Sequence, residues 1–255
     1  MHPTARPAAD KGPPSRCAAG VVFAVPIEAD AFARLANDTV DLRAGSLEFH
    51  EGLVAGRRVA WCVAGVGRDA ATRATRLLVD GHRPRLLVSA GFAGGLEPSL
   101  PRGRVIRPAQ VVRPDGSAEL PLAHAMPLAG RPLTLVTADQ IITTPAEKET
   151  LRAACGADAV DMETFAVAEA AAAADLLCAS VRVISDDATQ TLPREVAALA
   201  RPQSSMRRLG AALGAIGRRP RAALDLWGLY ENAVVDGRAL AAALADLCRS
   251  LPEDG

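Results

Sequence analysis

Apolar and polar positions along the chain switch repeatedly between two periods. VVFAV (21–25), LLVSA (86–90), LTLVTA (133–138) and LCASVRVIS (177–185) are short continuous apolar runs and read as buried strands. LEFHEGLVAGRRVAWCVAGVG predicts a hairpin: strand 47–54, turn Ala55–Gly56, strand 58–64. GRVIRPAQVVRP (103–114) is strand material interrupted by Pro108, residues 115–132 carry turn residues, and AVDM (159–162) is short and extended. Between these runs the spacing becomes helical. EADAFARLA (28–36) begins a helix, RDAATRATRLLVDG (68–81) closes on Gly81, and PAEKETLRAAC (145–155) carries Pro145 near its start. ETFAVAEAAAAADL (163–176) adds strong alanine propensity. Strands alternating with helices predict an α/β domain with a largely parallel or mixed sheet. From about residue 192 the pattern is helical and Arg-rich, with two or three helices broken at Pro220 and near Gly237. Residues 1–16 are rich in Pro, Ala and charge and lack periodicity. The expected organisation is a disordered leader over 1–16, one α/β domain over 17–192, and a helical extension over 193–255 packed on that domain.

Composition narrows the classes. Of 255 residues, 49% are apolar and 23% charged, enough for a sizeable core. Lys plus Arg equals Asp plus Glu at 29 each, so no net field draws the chain to nucleic acid or to an anionic membrane. Lys appears only at Lys11 and Lys148, which fits genomic base composition. The five cysteines are scattered and form no CxxC pair, which fits free thiols in a reducing cytoplasm. His2, His50, His82 and His124 are equally dispersed, so neither a metal nor another cofactor is expected. Arg16 followed by CAAGVVFAVPI resembles a secretory apolar region, but the run stops at Glu28 and lacks a downstream A-x-A site. No run reaches transmembrane length.

The candidate chemistry lies where apolar strands end in acids. Glu28 follows the first strand in VPIEAD, Glu163 stands in VDMETF, and Asp186 stands in VISDDA. Each has a plain explanation as a helix cap or a first-turn acid. Asp161 and Asp187 are assigned to capping alone. Together, however, Glu28, Glu163 and Asp186 sit at the ends of separate strands, where α/β sheets hold ligands. Cleaving a glycosidic bond needs this set: an acid for the leaving group, a base for water, and support for a cationic sugar. GFAGGL (91–96) and AGVG (64–67) let backbone amides approach a ligand. Neither completes a P-loop or a dinucleotide fingerprint.

With AVPIEAD, AGVG before a helix, SAGFAGGL before a PRG turn, VTADQIITT, AVDMETFAVA and VRVISDDA in order, the chain resembles the nucleoside phosphorylase/nucleosidase superfamily from about Val21 to Leu192. It is most similar to the methylthioadenosine/S-adenosylhomocysteine nucleosidase branch. The resemblance implies one α/β domain with a twisted mixed sheet, partly closed as a barrel and flanked by helices. It implies that Asp186 protonates N7 of a purine, that Glu163 bonds the ribose hydroxyls, that Met162 packs on the ribose, and that Glu28 activates water. Ile141 and Ile142 would line the base pocket, Gly91 and Phe92 would belong to the glycine turn of the site, and Ser185 and Arg182 would support Asp186. It also implies a homodimer.

Water is the favoured nucleophile, because Phe92 occupies the turn where phosphorylases place a phosphate-binding hydroxyl, and no Arg precedes it. Arg68 stays a candidate phosphate ligand, so phosphorolysis remains the alternative, and a non-catalytic nucleoside-binding module is the alternative of another class. The tail, with RRPRAALDLW, and the short AACGADAVDMET resemble the hopanoid-associated branch, which cleaves adenine from adenosylhopane. That would place a lipid-like group at the 5′ position. The tail helices equally suit packing, oligomerisation or a membrane surface.

Overall fold

The structure, a computed structural model, describes residues 16–127, 129–192 and 220–252, with the side chains of 220–230 outside the description. The leader expected over 1–16 lies outside the described residues apart from Arg16, as do residues 193–219 of the tail.

The strands are β1 (Ala19–Phe23), β2 (Asn37–Ala44), β3 (Leu47–Val54), β4 (Arg57–Val63), β5 (Leu86–Gly95), β6 (Val105–Ile106), β7 (Gln110–Val112), β8 (Glu119–Pro121), β9 (Thr134–Thr137), β10 (Ala159–Asp161) and β11 (Leu177–Asp186). The helices are α1 (Pro26–Ala33), α2 (Arg68–His82), α3 (Pro145–Cys155), α4 (Thr164–Ala173) and α5 (Pro220–Ser250). The strands form one mixed sheet in the order β2-β3-β4-β1-β5-β10-β9-β7-β8, with β11 and then β6 branching from β5. This is the α/β fold with a mixed sheet and flanking helices that the sequence predicts.

The branch at β5 makes room for a site. β11 runs parallel along one edge of β5, from Leu86 to Gly94. The other edge is shared: β1 pairs with Leu86–Ser89 in parallel, and β10 pairs with Gly94 and Gly95 in antiparallel. Between these partners, residues 90–93 have no strand on that edge. The chain leaving β1 and the chain leaving β10 both turn outward at this gap, so Glu28 and Glu163 arrive beside it. The segment GFAGG, expected as a turn, is therefore the last half of β5. Its glycines permit a strand that neighbours approach closely.

Local chemistry fixes the helix starts. α3 opens on a capping box, with Thr144 Oγ1 accepting from Glu147 N and Glu147 Oε2 accepting from Thr144 N. Gly156 in the left-handed region (φ 67°) closes it. α2 begins at Gly67 with φ 93°, a conformation that favours glycine.

Apolar side chains fill both faces of the sheet. Leu78, Leu87, Leu135, Phe165 and Val167 pack on one, and Val21, Phe23, Phe32, Trp61 and Val183 on the other, where Leu240, Leu244 and Leu247 of α5 join them. Each such Leu contributes about 1.5–3 kcal/mol on burial. α5 packs against α1 and β11. The helix break expected near Gly237 is not there: α5 continues through it. A Cβ at this position would stand 3.0 Å from the Ile27 carbonyl, so the glycine admits close approach to α1. β2 was not legible as a strand, because nearly all of its residues are exposed and β3 alone orders it. β8 falls inside the stretch read as turns.

Candidate active site

A cavity of about 300 Å³ opens at the β5 gap, lined in part by Glu28, Glu163, Asp186, Phe92, Ser185 and Met162. Ile141 and Ile142, from the loop between β9 and α3, form another wall. Gly91 lies behind the lining: a Cβ there would come within 2.5 Å of Glu28 Oε1. The fold thus brings together the residues that the sequence singled out from five separate segments.

Glu28 is buried and held by backbone donors. Its Oε2 accepts from Ala24 N and Val25 N at 3.0 Å each, and its Oε1 accepts from Phe92 N at 2.9 Å. The first two bonds cap α1, so the capping explanation holds for this residue alongside its place in the cavity. The third satisfies an amide of the unpaired β5 edge. Burial raises its proton affinity above the ordinary glutamate range, opposed by the Arg182 charge and these amides.

Glu163 accepts from Gly67 N at 2.8 Å, which ties the AGVG turn to the site. Its pKa is pushed up to about 8, first by burial and then by the neighbouring Asp161 charge, with Arg182 and the Gly67 amide opposing. Asp161 lines the same cavity. Its Oδ2 accepts from Thr164 N at 2.9 Å and pairs with Arg182 at 2.6 Å, and its Oδ1 accepts from Thr137 Oγ1 at 2.6 Å. Arg182, expected to support Asp186, instead serves this pair and donates to Ser89 and Thr164. Asp187 accepts from Thr189 N and Gln190 N, as a turn-capping residue does.

Asp186 is buried with a partner on each oxygen. Ser185 Oγ donates to Oδ1 at 2.6 Å, as expected. Oδ2 pairs with Lys148 Nζ at 2.6 Å. Lys148 was missed by the sequence reading, which treated the scarcity of lysine as base composition. The same scarcity was the available clue: in an Arg-rich chain, a helical lysine that is 1% exposed is not a solvated charge.

Among the described residues the lining contains neither Arg nor Lys, and Arg68 opens α2 outside it. Among the described residues, one trio, Cys17, Glu51 and His82, brings potential metal-ligand atoms within 4.8 Å of one another. It lies at the far end of β1 from the cavity, and Glu51 is already bonded to Arg58 and His82. No described helix is long and apolar enough to cross a membrane.

The family model described as the phosphorylase superfamily matches residues 18–132 and 131–218. A 5'-methylthioadenosine/S-adenosylhomocysteine nucleosidase from Pseudoalteromonas translucida is 29% identical over 139 residues, 52% of this chain and 59% of that protein. The chain thus matches less than two thirds of that relative's length. A protein of the same description from Listeria monocytogenes is 25% identical over 202 residues, 67% of this chain and 87% of the relative. The crystal structure of such a nucleosidase from Neisseria meningitidis, in complex with methylthio-immucillin-A, superposes with a TM-score of 0.70 at 17% identity, covering 91% of this chain and 99% of that one.

Proposed function

The chain belongs to the phosphorylase superfamily, and on that premise we propose that it is a purine nucleosidase, hydrolysing the N-glycosidic bond of an adenine nucleoside with a 5′ substituent. The observation that carries the reading is the convergence of Glu28, Glu163 and Asp186 on one cavity that, among the described residues, no cationic side chain lines. A phosphate dianion calls for Arg, Lys or a cluster of donors. Water needs only a base.

In this proposal Asp186 gives a proton to N7 as the C1′–N9 bond breaks, which lets the purine leave as a neutral base. Glu28 takes a proton from water, a role that its raised proton affinity suits. Glu163 holds a proton near neutral pH in the free site. Ribose hydroxyls donating to it, and the positive charge that grows on the sugar, favour its carboxylate form instead. Met162 packs on the ribose, Ile141, Ile142 and Phe92 enclose the base, and Ser185 steadies Asp186. The apolar lining suits a methylthio or homocysteinyl group, or the start of a lipid-like substituent such as that of adenosylhopane.

The same reading includes a 17–192 catalytic body with its C-terminal extension, a homodimer, and a cytoplasmic location, which the five free thiols suit. Light scattering checks the dimer, and flotation with anionic vesicles checks a membrane contact of the C-terminal helices. The direct experiment incubates the protein with methylthioadenosine, adenosylhomocysteine, adenosine, inosine and a lipid-linked adenosine, with and without phosphate. Adenine release independent of phosphate is expected. Strict dependence on phosphate makes it a phosphorylase, and binding without release makes it a nucleoside-binding module.

A further inference from the structure

We propose that Lys148 is a positioning residue for Asp186: it commits one carboxylate oxygen and stabilises the charge left on Asp186 when the proton passes to the purine. This rests on the acid role assigned to Asp186 above. A buried ammonium is costly unless every donor is used. Lys148 Nζ has three N–H groups and meets three acceptors: Asp186 Oδ2 at 2.6 Å, the Asp187 carbonyl, and the Gln190 carbonyl at 3.3 Å. Oδ2 is therefore taken. Oδ1 meets the Ser185 hydroxyl, which also lies 3.3 Å from the Ala93 carbonyl. When Oδ1 carries a proton, the Ser185 hydrogen has that carbonyl as its alternative acceptor.

Oδ1 is thus the oxygen free to hold and deliver a proton. As the Oδ1–H bond breaks and the N7–H bond forms, the electron pair of C1′–N9 goes to the purine. Water adds at C1′ and yields its proton to Glu28. The anionic Asp186 that results faces Lys148 throughout. Among the described residues, the charged groups turned toward Lys148 are the carboxylates of Asp186 and, through its Coulomb effect, Asp187. The competing explanation is a strut: Lys148 ties the loop after β11 to α3, beside the bond from Leu192 N to Thr143 O.

Leaving-group chemistry separates the two. Lys148→Met, Asp186→Asn and the double variant are assayed on the fastest nucleoside of the panel and on a 4-nitrophenyl riboside with the same 5′ group, which departs without a proton. On the nucleoside, Lys148→Met is expected to lower kcat by about 100-fold with KM within about fivefold. On the nitrophenyl riboside both single variants recover to within about tenfold of wild type. A Lys148→Met rate within threefold of wild type on the nucleoside overturns the proposal, as does a deficit that persists on the nitrophenyl riboside while Asp186→Asn recovers. If Asp186→Asn itself fails to recover, or wild type turns over no nucleoside, the acid assignment falls first and this proposal with it. Should Lys148→Met not fold, the double variant, which lacks the uncompensated carboxylate, decides. Equal rates for it and Asp186→Asn on the nucleoside support the proposal, and a further loss refutes it.

Discussion

Gly91→Ala adds one methyl group where the site has no room for it. The new Cβ would stand 2.5 Å from Glu28 Oε1 and 3.0 Å from its Cδ, and closer still to the Arg182 guanidinium, whereas ordinary contact begins at 3.4 Å. Neither neighbour steps aside cheaply. Glu28 is fixed by three backbone amides, and Arg182 by Asp161, Ser89 and Thr164. Glu28 must therefore shift by nearly 1 Å or β5 must bow outward. A misplacement of about 1 Å in a reacting group costs roughly 100-fold in rate. Overpacking costs about 1–3 kcal/mol of stability. The assay is kcat for adenine release, with melting temperatures beside it. Two other glycines calibrate the result. A Cβ at Gly94 would lie 3.2 Å from Asp186 Oδ2, which a few tenths of an ångström relieves, so Gly94→Ala should cost about tenfold or less. Gly81 in α2 has nothing within 4 Å, so Gly81→Ala should leave kcat unchanged and add about 0.5–1 kcal/mol. A Gly91→Ala enzyme within threefold of wild type would refute the placement of Glu28 as the base.

Glu163 makes stability depend on pH in a definite direction. Between its ordinary value of 4.5 and about 8 the folded protein holds a proton that the unfolded chain has lost, so stability falls as pH rises through that window. The full effect is on the order of 5 kcal/mol. Urea denaturation at several pH values should show the decline, and Glu163→Gln should flatten it; an unchanged slope in the variant contradicts the assignment. Arg182→Met leaves buried Asp161 without its counter-charge and should cost about 3–5 kcal/mol. A loss under about 1 kcal/mol would mean that Asp161 finds another way to be satisfied.

The sequence made the strand ends readable because buried strands are continuous apolar runs, and acids directly after such runs stand out. That was enough to select Glu28, Glu163 and Asp186 for one cavity. It could not supply the order in which strands meet, so the shared edge of β5 was unseen and GFAGG was read as a turn. β2 carries no apolar alternation because both of its faces are exposed; its pairing with β3 defines it. Lys148 was hidden for the opposite reason. Its helix is polar in pattern, and burial of a single inward lysine leaves no periodic trace. Arg182 showed the limit of proximity along the chain: it shares a strand with Asp186 yet pairs with Asp161 across the sheet. Gly237 reads as a helix breaker in the sequence, but in the fold it lies within a continuous helix where the Ile27 carbonyl comes close.

In the proposed reaction the nucleophile is water activated at Glu28. Running the reaction in ¹⁸O-labelled water with phosphate present, and weighing the sugar product at once, identifies the nucleophile. Free adenine and a 5-substituted ribose carrying one ¹⁸O at C1 are expected. An unlabelled sugar 1-phosphate would contradict this assignment.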